Sequence, residues 1–542
     1  MKKIMGSILV ICVMVLFCGT GLAVKQPNIL LVMVDDMGWT DIGCFGSEIE
    51  TPNIDALADR GVKFTDFHVS VSCSPTRSML LSGNDNHIAG LGTMGEILTD
   101  KQRGHPGYEG HLNDRVASLA EVLQEGGYHT YLSGKWHLGH QKGTLPFDRG
   151  FERSFSMLVG GASHWADMYG ILPMDHPAKY SRNGEFLDSL PADFYSSKSY
   201  ADFLMDSIRE NLEDGKPFLA YLAFTAPHDP LHVPEPWLSK YKGKYDDGYE
   251  VLKTKRWKAA QKLGIVPKGS KLAEKHPFIK PWNDLTDEEK AIEARGMEVY
   301  AGMLDAMDYH FGRVINFLKD IDEYDNTIII FLSDNGANPF YSHQYPGADT
   351  EGFQDMFDTS LENIGHPGSN YAYGIGFATG SGGPLDKFKL TVGEGGIRSP
   401  LLIAGPGIKS GQQNDAFAYV TDIMPTLLEF AGVDYPDKYK GRKLEPMRGR
   451  SLVSLLDGTK KAVYTESEYV GGEMAGGKWM RQGDLKAVKV PKPYGTDQWQ
   501  LFNVIKDPGE SNDLSKSMPD KLNELKAAWD DYAKEVGVIP AE

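Results

Sequence analysis

From Asn28 the chain enters a continuous run of apolar, mostly branched residues that lasts to Val34 and stops at Asp35 and Asp36. A short run of this kind predicts a strand buried on both faces of a parallel sheet. After Thr51-Pro52 a helix is expected from Ile54, and Val116 to Gln124 reads as a second helix ahead of a strand at Tyr128 to Leu132. Phe218 to Thr225 and Thr327 to Leu332 repeat the strand texture, and Val299 to Leu318 between them has helical spacing. Strand and helix alternating in this order predict an α/β doubly wound sheet.

Past about Asp457 the pattern changes. Short strands are expected at Ala462 to Tyr469, Lys478 to Gln482, Asp484 to Val490 and Trp499 to Val504, then a helix with Leu522, Leu525, Trp529 and Tyr532 on one face. The reading divides the chain into a leader at 1–23, a main body at 24–457 and a smaller α+β unit at 458–542. Segments 235–295 and 338–385 are long and rich in Gly, Pro, Lys and aromatics, and loops of that length are expected to shape a binding pocket.

The leader reads as a secretory signal, with basic Lys2 and Lys3, an apolar run from Ile8 to Phe17, and small Gly21 and Ala23 for cleavage. It predicts export, to a periplasm or the exterior; lipid attachment at Cys18 ranks below this because bulky Phe17 precedes it. No later window is apolar enough for long enough to span a bilayer. The formal net charge of -18, more negative still once Lys2 and Lys3 are removed, excludes nucleic acid as an expected partner. A small anionic ester remains open to such a chain only if cations cluster locally.

Two strands are expected to end in hard oxygen ligands: Asp35-Asp36 and Asp334-Asn335. In doubly wound sheets ligands gather beyond the carboxyl ends of strands, and such oxygens suit calcium or magnesium better than zinc. One pair by itself reads as a turn or helix cap. Beyond Cys12 and Cys18 of the leader only Cys44 and Cys73 remain, and spacing leaves a disulfide between them open.

Around Cys73 the sequence runs Cys73-Ser74-Pro75-Thr76-Arg77, then Ser78-Met79-Leu80-Leu81-Ser82-Gly83. This resembles the signature of the formylglycine-dependent sulfatases, C-x-P-S/T-R followed by an apolar pair and Ser/Thr-Gly. A second stretch, Gly127 to His137 with Ser133-Gly134-Lys135-Trp136-His137, is similar to another block of that family. Further blocks resemble bacterial arylsulfatases: Asn84 to His87 with Gly90-Leu91-Gly92, Tyr221 to Pro234, Met297 to Gly302, Ser333 to Gly336 and Lys389 to Arg398. The likeness spans roughly Pro27 to Leu514.

The resemblance implies an alkaline-phosphatase-like doubly wound mixed sheet flanked by helices, one calcium ion, and conversion of Cys73 to formylglycine by a maturation enzyme. It places Asp35, Asp36, Asp334, Asn335 and residue 73 around the metal, and makes the hydrated aldehyde at 73 the nucleophile. Arg77, one turn along a helix from Cys73, would hydrogen-bond the modified side chain. Lys135 and Lys389 would hold sulfate oxygens, the latter chosen over nearby Lys387. His228 would bind sulfate near the leaving oxygen, which His228 or Lys389 would protonate. Asp334 would take the proton of the attacking hydroxyl and His137 that of the second. His140 and His232 are expected to be structural or on the pocket rim.

Bottom-up chemistry asks for the same parts: sulfate-ester cleavage needs a metal, fixed cations and a proton donor. Hydrolysis of a phosphate or phosphonate ester on the same fold is the alternative, and a sulfated-glycan binder without turnover, its Cys73 left as a thiol or paired with Cys44, is a third reading. A small or oligosaccharide sulfate ester is the expected substrate.

Overall fold

The computed structural model describes residues 25–273 and 275–541, so the leader read at 1–23, with Cys12 and Cys18, lies outside the described residues. An 11-stranded mixed sheet forms the centre. Its middle is a parallel block in the order Thr327–Ser333, Asn28–Val34, Phe218–Ala223, His129–Lys135, Arg153–Met157. Arg398–Ala404 joins this block antiparallel and carries Val62–His68 on its far side, again antiparallel. Two reversals return Val62–His68 to the direction of the block. The carboxyl ends of six strands and the amino end of Arg398–Ala404 therefore lie along one edge.

Strand Asn28–Val34 shows why the sheet is covered on both sides. Leu30, Val32 and Val34 pack into one buried cluster and Ile29, Leu31 and Met33 into another, the two-residue period of a strand facing two cores. The first cluster joins the sheet to helices Pro52–Arg60, Ser196–Arg209 and the 34-residue helix Asp287–Asp320. The second lies under Cys73–Ser82, Leu119–Glu125 and Ile423–Ala431. Leu119–Glu125 starts later than the apolar spacing suggested because Ser118 and Glu121 form a capping box that fixes its first turn.

The C-terminal part is a four-stranded antiparallel sheet, in sequence order, with helix Pro519–Val536 placing Leu525, Trp529 and Tyr532 against Met480, Ala487 and Leu501. The strand expected at Ala462 to Tyr469 is displaced: the first strand is Tyr469–Met474, whose Gly471 and Gly472 hid it from the apolar pattern. Segment 235–295 is also more ordered than expected of a loop. It carries helix Tyr249–Leu263, from which Arg256 ion-pairs buried Asp41. Among the described residues no helix is long and apolar enough to cross a membrane.

Candidate active site

Cys73 opens the helix Cys73–Ser82, all ten residues of which are buried. Ser72 is extended and precedes the first turn, and Ser70 N–H donates to Thr76 Oγ1 at 2.9 Å, so the hydroxyl of Thr76 holds the entry loop against the helix. Either Ser or Thr can make that bond, a physical reason for the alternative at this position. Unpaired N–H groups at the start of the helix give residue 73 a positive electrostatic setting. Burial, with Asp35 next, still keeps its thiol well above the ordinary value. Cys44 and Cys73 are both free thiols, so the disulfide reading fails.

The strand edge brings the acidic pairs to the thiol. Cys73 Sγ lies 3.3 Å from Asp35 Oδ1 and 3.8 Å from Asp36 Oδ1. Three buried cations balance three buried carboxylates: Lys135 Nζ donates to Asp35 Oδ2 at 2.5 Å, Lys389 Nζ to Asp36 Oδ2 at 2.8 Å, and Arg77 to Asp334 Oδ2 at 2.7 and 3.1 Å. Arg77 also donates to the Lys135 carbonyl at 3.1 Å, so its contacts run to the acidic cluster rather than to residue 73. Asn335 donates to Asp36 Oδ1 at 2.6 Å, while its own Oδ1 is buried without a partner among the described residues.

Burial would raise Asp35, but Lys135, His228, Arg77 and Lys389 outweigh it and hold the carboxyl well below its usual range. Asp334 goes the other way: burial and the charge of Asp35 raise it despite Arg77 and Lys135. Each carboxylate thus gives one oxygen to a cation. The ligand atoms of Asp35, Asp36, Cys73 and His228 lie within 4.8 Å of one another. Hard oxygens converging on one point, with the Asn335 carbonyl unsatisfied, fit a divalent cation.

His228 Nδ1 donates to the Asp229 carbonyl at 2.6 Å, which turns Nε2 toward Asp36 Oδ2 at 3.3 Å and Lys389 Nζ at 3.4 Å. His137 Nε2 lies 2.9 Å from Glu96 Oε1. Asp36 and His137 both sit in the left-handed region, φ 66° and 55°, a strain that recurs at functional sites. His232 is buried away from the cavity against the Ser369 carbonyl, and His140 does not line it either. Lys387 turns aside to Asp386, leaving Lys389 as the lysine of this loop in the cluster.

Cys73, His137, His228 and Lys389 open into a cavity of about 220 Å³. Its wall is mostly apolar, with Met94, Ile97, Ile171, Leu172, Phe340 and Pro346 beside Glu96, Gln344 and Tyr345. Segment 338–385 supplies part of that wall, as its length suggested, whereas 235–295 supplies none among the described residues. Sequence reasoning missed Glu96, Asp229 and Tyr345, although Tyr345 and Asn338 both bond Asp229 Oδ1 at 2.8 Å behind His228. No motif marks Glu96 or Tyr345, each in a loop whose position only the fold decides, and Asp229 falls within the Tyr221 to Pro234 block without any role assigned to it there.

The family model described as Sulfatase matches residues 27–433, and one described as the C-terminal part of N-sulphoglucosamine sulphohydrolase matches 384–532. An uncharacterized sulfatase of Schizosaccharomyces pombe is 44% identical over 95% of both chains. An arylsulfatase of Klebsiella aerogenes is 40% identical over 80% of this chain and 92% of its own. Among solved structures, Ps i-CgsB in complex with k-i-k-neocarrahexaose superposes with TM-score 0.65 at 23% identity, covering 94% of this chain and 93% of that one. BT4656 in complex with D-glucosamine-2-N,6-O-disulfate gives 0.61 at 21%, covering 96% and 100%.

Proposed function

The chain belongs to the sulfatase family and is a sulfuric ester hydrolase; from that premise we propose that it is of the arylsulfatase type, acting through a formylglycine made from Cys73 and a calcium ion. The observation that carries the substrate side is the apolar wall around Cys73, His228 and Lys389. A sulfated sugar would meet few hydrogen-bonding partners there, whereas a phenol or apolar alcohol would bury its hydrocarbon. The 40% identity to an arylsulfatase supports the same choice.

Asp35, Asp36, Asp334 and Asn335 would hold the ion, which supplies fixed positive charge beside the reacting sulfate. Formylglycine supplies a hydrated aldehyde, one hydroxyl to attack sulfur and a second whose deprotonation expels sulfate. Around these, Lys135 and Lys389 orient the sulfate oxygens, and Arg77 keeps Asp334 in place. Lys389 or His228, in contact with each other, protonates the leaving oxygen. Asp334 takes the proton of the attacking hydroxyl, and His137 that of the second. This reading carries with it a maturation enzyme as partner and an exported location for the product of the leader at 1–23.

The test uses protein co-expressed with a formylglycine-generating enzyme. Peptide mass spectrometry should find an aldehyde at 73, and 4-nitrophenyl sulfate should be cleaved with far higher kcat/KM than 4-nitrophenyl phosphate, a phosphonate ester or sulfated oligosaccharides. A preference for the phosphoryl esters or for the oligosaccharides, or a thiol persisting at 73 in active protein, would overturn it.

A further inference from the structure

Glu96 stands on a single 3-10 turn, Gly95–Ile97, in a loop that no motif singled out, yet it reaches the cavity that holds Cys73. Its Oε1 meets His137 Nε2 at 2.9 Å. The other ring nitrogen, Nδ1, is buried without a partner among the described residues. Gly160 packs against the edge of the same ring: a Cβ there would come within 3.2 Å of Cε1 and 3.3 Å of Nε2. The imidazole is thus held by a carboxylate on one nitrogen and by close backbone on its edge, with one nitrogen left over.

We infer that Glu96 is a positioning residue that fixes the tautomer of His137, keeping the proton on Nε2 and leaving Nδ1 as the basic nitrogen. An ionised carboxylate only accepts hydrogen bonds, so the nitrogen facing it must carry the hydrogen. Burial would raise Glu96, but His137 beside it, a backbone N–H and Lys135 hold it below its usual range, so it faces the ring as a hydrogen-bond acceptor. His137 itself falls below the ordinary imidazole value because burial outweighs the pull of Glu96, which keeps the ring neutral and able to accept a proton.

The inference rests on the reading of His137 as the base for the second hydroxyl. In that step the hydroxyl proton passes to Nδ1, its electron pair forms the aldehyde C=O, and the C–O bond to sulfate breaks with its pair leaving on sulfate. Glu96 then plays the part a buried carboxylate plays behind any catalytic imidazole: it sets which nitrogen is bare, and it stabilises the imidazolium that forms.

Two readouts test this. In ¹⁵N-histidine protein with Cys73 unmodified, NMR of the His137 ring, assigned by its loss in His137→Ala, should show Nε2 protonated and Nδ1 bare. Glu96→Leu should abolish that preference and Glu96→Gln, which can accept through its amide oxygen, should restore part of it. In matured protein, Glu96→Leu should lower kcat by roughly 10- to 100-fold while kcat/KM holds, because the proton concerned moves after the ester bond is broken. It should add nothing in the His137→Ala background. The remaining histidine resonances report whether each variant has kept its fold. A wild-type ring protonated on Nδ1, a Glu96→Leu variant in which kcat/KM falls as far as kcat with KM unchanged, or an undiminished effect without His137 would overturn the inference. Failure of the wild type to cleave 4-nitrophenyl sulfate would instead sink the functional reading and leave the tautomer result standing.

Discussion

Among the described residues two buried clusters set three carboxylates against three cations, and they differ in which acceptors they leave open. At the strand edge Asp35, Asp36 and Asp334 meet Lys135, Lys389 and Arg77. Where the C-terminal sheet docks, Asp66, Glu394 and Glu510 meet Arg481, Lys486 and Arg398, with His68 between them. The second cluster has every carboxylate oxygen occupied. Arg481 takes both oxygens of Asp66 at 2.7 and 3.2 Å, Lys486 and His68 take those of Glu394 at 2.8 and 3.1 Å, and Glu510 is shared by Lys486 at 3.0 Å and the Glu394 N–H at 2.8 Å. In the first, among the described residues, Asp35 Oδ1 bonds only the sulfur of Cys73 and Asn335 Oδ1 has no hydrogen-bond partner. Three His and carboxylate atoms close together are therefore no sign of a metal when lysine and arginine already fill the space. Unsatisfied acceptors beside a cavity are the better sign.

The comparison is broken most forcefully at residue 73. On the proposed reading, Cys73→Ala should cut sulfate-ester turnover by about 10⁴-fold or more relative to matured wild type, since it removes the proposed attacking group outright. A variant that kept a tenth of the wild-type rate would mean that the first cluster is only another structural network. Next in size, Lys486→Met should cost about 3–5 kcal/mol of stability in urea titration by leaving buried carboxylates short of a partner, with kcat little changed. A large loss of kcat at unchanged stability would erase the distinction between the clusters. The smallest effect sharpens it: calcium at a hundred times its Kd should stabilise the wild type by about 2.7 kcal/mol in thermal denaturation. That gain should vanish in Asp36→Asn and survive in Asp66→Asn. A calcium response lost in Asp66→Asn and kept in Asp36→Asn would assign the ion to the wrong cluster.

Much of the first cluster is legible in the chain because its members are local to strand ends. Asp35, Asp36, Asp334 and Asn335 follow apolar runs that can only be central strands, and Lys135 closes another. A reader who knows that ligands gather at that edge has most of the site before any coordinates. Lys389 needed more, since its strand runs the opposite way and it enters from a loop ahead of Arg398. Glu96 and the docking cluster were out of reach. Glu394 and Lys486 are 92 positions apart and each alone reads as a solvated charge, so their pairing is a property of how the terminal sheet packs. The misplaced strand near Tyr469 has a similar cause: paired glycines satisfy the backbone ladder while contributing nothing to a hydrophobic pattern.

Residue 73 is 2% exposed, at the head of a helix with no surface of its own. No second protein could close around that peptide once the sheet and its covering helices had assembled. Any enzyme that alters the side chain must therefore catch the segment while the polypeptide is still extended, which turns activity into a matter of timing. On the proposed reading, a copy that folds first would be left with a thiol where the nucleophile belongs.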